Sequence, residues 1–184
     1  MVACDAVIFT GDWIPDHELA RLAGLALDSG TLGPLVDTAM RTSSPGVFAA
    51  GNLVHPVDTA DVAALDGRHV DAQVEGWPTG SRPGGSQLRI TANAPLRWLT
   101  PGLWRPGDPA PDRRQLLALA DELVRRPVVI VRQGGEVVSR RALPWPAAPG
   151  RVFRIPWSVL KHVDTHDGDI SIACNDHDCS IVGS

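Results

Sequence analysis

No apolar run in the 184-residue chain approaches the ~20 residues that a helix needs to cross a bilayer. The start Met1-Val2-Ala3-Cys4-Asp5 has no basic residue and meets an acid at once, unlike a secretion signal. The expected location is therefore the cytoplasm. Three cysteines, Cys4, Cys174 and Cys179, do not make a disulfide framework. No C-x-x-C redox pair is present. Nor is there a G-x-G-x-x-G turn, which dinucleotide binding needs so that the backbone can approach the pyrophosphate. Pro83-Gly84-Gly85 lacks that spacing and follows no strand. Lysine is almost missing, with Lys161 the only one.

What is present suits a folded protein, with 43% apolar residues. Charge is uneven. Residues 1–80 hold 3 arginines and 11 acids, a net of −8, while residues 81–184 hold 14 bases and 10 acids, a net of +4. The positive half mixes acids among its bases without a block of one sign, which argues against a nucleic-acid partner.

Two regions differ in grammar. In residues 1–76 strands alternate with helices, which implies an α/β layered fold. Cys4–Thr10 reads as a strand ending at Gly11. Pro15-Asp16 opens a helix to about Leu27, although Gly24 weakens it. Leu35–Asp37 and Val47–Ala50 read as short strands. Asp58-Thr59-Ala60-Asp61 reads as a helix start with caps and acids in the first turn, running to about Val74. Residues 77–86 are turn and linker chemistry. From residue 87 to 174 the pattern turns to strands. Leu88–Thr91 alternates, and Val128–Val131 is joined to Val137–Ser139 by Gly134-Gly135 as a hairpin. Arg151–Trp157 alternates again, and Asp169–Ala173 closes the set. Leu116–Val124 suits helix or strand, and its place before a hairpin favours strand. The expectation is a small antiparallel sandwich, followed by a polar tail over 175–184.

The richest stretch is Thr42-Ser43-Ser44-Pro45-Gly46-Val47-Phe48-Ala49-Ala50-Gly51-Asn52. Pro45-Gly46 is a turn pair. Val47–Ala50 is short and apolar, as a strand buried on both faces is. Gly51 permits close backbone approach, and Asn52 presents a polar side chain at the strand's C-terminal end, where open α/β sheets bind ligands. The stretch resembles the second flavin-binding motif, T-x-x-P-G-V-F-A-A-G-D, of the FAD-dependent pyridine nucleotide–disulfide oxidoreductases. The strand ending in Thr10-Gly11, about forty residues upstream, resembles the one that closes the nucleotide domain in that family. The likeness is closest to amine- and opine-oxidising members and to hydrogen cyanide synthase flavoprotein subunits; it covers residues 4–75 closely and the rest loosely.

The resemblance implies a partial FAD/NAD(P)-binding, Rossmann-like region over 1–76, ahead of the small β domain. It implies hydride transfer between NAD(P)H, or an amine-like donor, and FAD. Gly11, Gly51 and Asn52 would then be cofactor-binding residues, with Thr59, Ala60 and Asp61 supplying backbone N–H groups to the flavin's pyrimidine edge. The family's motif ends in Asp, whose carboxylate binds a ribityl hydroxyl. Asn52 can still accept such a bond but lacks the charge that strengthens it. His55 follows closely and is a further candidate for that edge. In the family the first flavin motif lies N-terminal to residues like these, so the chain is expected to be a C-terminal portion with little flavin turnover alone. A partner chain, or a missing half, would carry G-x-G-x-x-G, and exposed sheet edges would favour oligomers. The rival readings are a non-catalytic interaction module and a fragment without function.

Cys174, His177 and Cys179 stand within six residues, but a structural zinc site needs four ligands and no second cluster completes it. His162 and His166 are the nearest candidates for the rest, and the stretch reads as a polar C-terminal tail rather than a metal site. The tryptophans Trp13, Trp77, Trp98, Trp104, Trp145 and Trp157 read as core and linker packing.

Overall fold

The computed structural model describes residues 5–6, 15–56, 60–77 and 86–176. The fold is mixed α/β but mostly sheet. Its helices are α1 (Glu18–Leu22) and α2 (Ala60–Glu75), and its strands are β1 (Leu88–Ala92), β2 (Leu96–Thr100), β3 (Leu103–Trp104), β4 (Gln115–Ala120), β5 (Pro127–Gln133), β6 (Glu136–Ala142), β7 (Val152–Pro156) and β8 (Ile170–Asp176). A five-stranded sheet runs β3-β1-β8-β5-β6, and a three-stranded sheet runs β2-β4-β7.

Local sequence explains the longest hairpin. Gly134 and Gly135 both adopt positive φ, 58° and 89°, as a two-residue turn between right-twisted strands requires. β5 and β6 then pair from Gln133↔Glu136 outward. β-Branched Val129 and Val131 turn inward with Ile90, Ile170, Ile172 and Cys174, and meet Leu116, Ala118, Phe153 and Ile155 from the other sheet. The shared core lies between the two sheets.

The three-stranded sheet is covered on its second face too. Trp98, Leu117 and Leu119 pack there with Val62 of α2. This explains the unbroken apolar run of β4, which is buried along nearly its whole length. A strand buried on both faces has no alternation to betray it. A register shift between Leu96 and Trp98 lets Leu96 face the inner core while Trp98 faces α2.

Several sequence expectations need correction. The strands β1 and β8 are parallel, with Ile90 opposite Ile170, so the β region is not wholly antiparallel. The direction of β8 is set by seven antiparallel pairs with β5, and β1 takes the edge that remains. β8 also runs through Asn175 and Asp176, both expected in the tail. β2 and β3, beside prolines, were not expected as strands. The helix expected over 15–27 is only Glu18–Leu22. Gly24 takes φ 69°, and Leu25 N–H bonds to Ala20 O while Gly24 N–H bonds to Arg21 O, a Schellman stop.

No Rossmann-like parallel sheet forms among the described residues. Val47–Ala50 is not a doubly buried strand. Phe48 makes one isolated antiparallel bridge to Arg41, Val47 is 40% exposed, and Ala49 N–H bonds back to Met40 O. Its apolar residues are satisfied locally, in a small cluster of Val36, Met40, Ala49 and Val54. Leu35–Asp37 instead attaches to the edge of the five-stranded sheet, where Val36 O accepts from the N–H groups of Gly102 and Leu103.

Asp37 fastens this attachment. Its carboxylate, fully buried, accepts from Ala39 N–H at 3.0 Å, Arg41 N–H at 3.1 Å, Arg41 Nε at 2.7 Å and Arg105 Nε at 3.1 Å. The loop before it also lies hard against its neighbours. A Cβ on Gly33 would stand 1.9 Å from Leu53 O, a backbone atom that cannot swing away. Gly33→Ala is expected to cost about 3 kcal/mol, measured by urea unfolding.

Cys174 is fully buried in the core, and burial pushes its thiol up to about 11. In a Cys4→Ser/Cys179→Ser protein, Cys174 is expected to resist iodoacetamide at mildly alkaline pH until urea unfolds the chain. Labelling at the same rate in native buffer and in urea would contradict this.

Candidate functional site

The motif resembling a flavin contact ends where the chain turns toward α2. Gly51 adopts φ 68° and opens a 3-10 turn, Gly51–Leu53. That turn packs against α2, with the Cβ position of Gly51 only 3.4 Å from Ala63 Cβ. Asn52 is exposed on this turn, and Ala60 and Asp61 are exposed in the first turn of α2. Three of the expected site residues therefore present surfaces to solvent, and Gly51 is buried beneath Asn52. Gly11 and Thr59 lie outside the described residues, as does Asp58.

α2 buries a mixed stripe. Val62, Asp66, His69 and Val70 fall at i, i+4, i+7 and i+8, one helical face. Val62 enters the Trp98 cluster, and His69 Nε2 bonds to Thr38 O at 2.9 Å. Asp66, 4% exposed, is the hub. Oδ2 pairs with His55 Nε2 and accepts the Gly51 N–H at 3.3 Å, while Oδ1 accepts Arg113 NH2 at 2.7 Å. His55 itself is 1% exposed, so it does not line an open flavin edge.

Burial raises the pKa of Asp66, but the His55 hydrogen bond and charge, the Arg113 charge and the Gly51 N–H together outweigh it, and the net shift is downward. The carboxylate is thus held ionised. Arg113 reaches it from a strained backbone. Arg113 and Arg114 adopt φ 59° and 50°, a left-handed region that costs a non-glycine residue roughly 1–2 kcal/mol. Such strain persists where surrounding contacts dictate it, and the Arg113–Asp66 pair is one of them.

Beside the cluster is a cavity of about 20 Å³ lined by Met40, His69, Thr100 and Gln115, room for about one water molecule. It admits no organic substrate. Among the described residues, no three His, Cys, Asp or Glu side chains converge as metal ligands do. The arrangement fixes the Gly51 turn, and through it the exposed Asn52, against α2.

Comparisons of the chain with protein-family models, with curated proteins and with solved structures found no match. Any functional reading therefore rests on the residues themselves. Sequence reasoning passed over Asp66 and Arg113. Asp66 did leave a signal, an acid on the helical face that carries Val62 and Val70. Arg113, 47 positions away, left none.

Proposed function

We propose that this chain is the C-terminal portion of an FAD-dependent oxidoreductase of the pyridine nucleotide–disulfide type, and that it contributes the ribityl end of the flavin site. The observation that carries the reading is the left-handed Gly51 turn that sets Asn52, exposed, against α2, with the first turn of α2 also exposed. Asn52 would hold a ribityl hydroxyl, and the N–H groups near Ala60 and Asp61 would face the pyrimidine edge, where a helix N-terminus favours negative charge. The fit is partial. These residues suit the ribityl end, whereas the glycine-rich pyrophosphate cradle is not in this chain and would come from another segment or partner. When bound, FAD would supply the hydride-accepting chemistry. The role of this chain is to position it.

The experiment combines the chain with a G-x-G-x-x-G-bearing nucleotide-binding domain of the resembled family, and follows retained FAD by its visible absorbance. The chain alone is expected to retain none, and the complex to turn yellow. Asn52→Ala is expected to weaken retention about tenfold, the worth of one buried hydrogen bond. A yellow complex indifferent to Asn52→Ala, or a colourless one, would sink the proposal. A colourless complex would instead favour a non-catalytic docking module. The 81% and 70% exposure of Leu19 and Leu22 on α1 supports that second reading, since an apolar surface of this kind suits a partner.

A further inference from the structure

At the far end of the motif from Asn52, an open cleft of about 340 Å³ lies between the Thr42–Gly46 turn, Trp77, Arg41 and Arg105. Its size falls at the lower end of the range for small-molecule sites. We propose that it binds a small anion carried on a flat ring, of the size of a nucleoside monophosphate or an aromatic carboxylate.

Two guanidiniums meet at this cleft because both donate Nε to the same buried oxygen, Asp37 Oδ2. That anchoring fixes their planes, and fixed guanidinium forks suit carboxylate and phosphate. Among the described residues, NH1 and NH2 of Arg105 make no hydrogen bond within the chain. NH2 of Arg41 is taken by Asp108, whose side chain is 22% exposed, against 1% for Asp37. Asp37 is therefore a buried brace, whereas Asp108, the more exposed partner, is the one an incoming acid would compete with for Arg41 NH2. Trp77 supplies the second half of the site. Its indole stands 3.9 Å from the Cβ position of Gly46 and is held edge-on to Phe48 at 5.7 Å and 89°. A half-buried indole beside two guanidiniums offers a ring both stacking and cation–π partners. The inference does not rest on the flavin reading, and either can fail without the other.

The test is calorimetric titration of the whole chain, at low ionic strength, with AMP, benzoate, adenosine and inorganic phosphate. AMP or benzoate is expected to bind, with adenosine and phosphate weaker by about tenfold or more. Trp77→Leu is expected to bring the ring-bearing anion down to the level of phosphate. Arg105→Gln is expected to remove anion binding. Asp108→Asn is expected to strengthen it by about threefold or more, because the internal competitor is gone. No heat from either AMP or benzoate would overturn the proposal, and so would adenosine binding as well as AMP. Because Arg105 also braces Asp37, an unfolded Arg105→Gln protein would pass the decision to Asp108→Asn, whose side chain is only partly buried. Unchanged or weaker binding by a folded Asp108→Asn protein would count against the site.

Discussion

Asp66→Ala is expected to lower the unfolding free energy by about 3–5 kcal/mol, a large part of the ~5–15 kcal/mol that holds a domain together. The carboxylate is the shared partner of His55, Arg113 and the Gly51 N–H. Removing it leaves a buried imidazole and a guanidinium facing a hole, with a strained Arg113 backbone that has lost one of its restraints. Urea unfolding measures the loss directly. The pH dependence separates the charge from the shape. The folded pKa of Asp66 lies below the usual 3.8, so its contribution is complete above about pH 4 and is lost as the pH falls through the folded value. In Asp66→Asn that part of the acid limb is expected to vanish, leaving a flatter stability profile below about pH 4. An unaltered acid limb would show that the ionised carboxylate contributes nothing.

Asp37→Ala is expected to cost a similar ~3–5 kcal/mol. Four donors converge on one buried carboxylate, and two of them are charged. Asp37→Asn is expected to keep most of the loss, because its NH2 would face N–H donors. The two sites differ in what detaches. Loss of Asp37 is expected to free residues 35–41 from the edge of the five-stranded sheet. Hydrogen exchange would then speed up at Gly102 and Leu103, whose amides bond to Val36 O, while Ala118 at the sheet centre stays protected. Equal acceleration at all three would mean global destabilisation instead.

The β region was legible in its longer strands with one buried face. Leu88–Thr91 and Arg151–Trp157 alternate because their outer side chains meet solvent or loops. Gly134-Gly135 announced its turn because only glycine takes two positive φ values in succession without strain. β4 was ambiguous for the opposite reason: with α2 on one side and the core on the other, Leu116–Ala120 has no polar face to show. α2 was read nearly to its ends. Val47–Ala50 misled because four apolar residues after a turn suit a parallel strand, yet here they close on Met40–Thr42 and the Val36 cluster. Gly51 was read as a place of close approach and Asn52 as a polar group at a strand end, but the 3-10 turn that packs them on α2 was not anticipated. Nor were the Asp66 and Asp37 clusters, since ion pairs 47 and 68 positions apart (Arg113–Asp66, Arg105–Asp37) leave no periodic trace.

The place of β8 also governs how the chain comes to be folded during synthesis. It is the last of the described strands, yet it sits in the sheet's interior between β1 and β5. At roughly 5–20 residues per second, Ile90 emerges roughly 4–16 s before Ile170, its partner across the parallel pair. Until β8 emerges, β1, and later β5 once it is made, each present an open edge, and the sandwich cannot close. A nascent chain stalled before residue 170 is thus expected to be protease-sensitive throughout its β region, and one extended past Asp176 to be resistant.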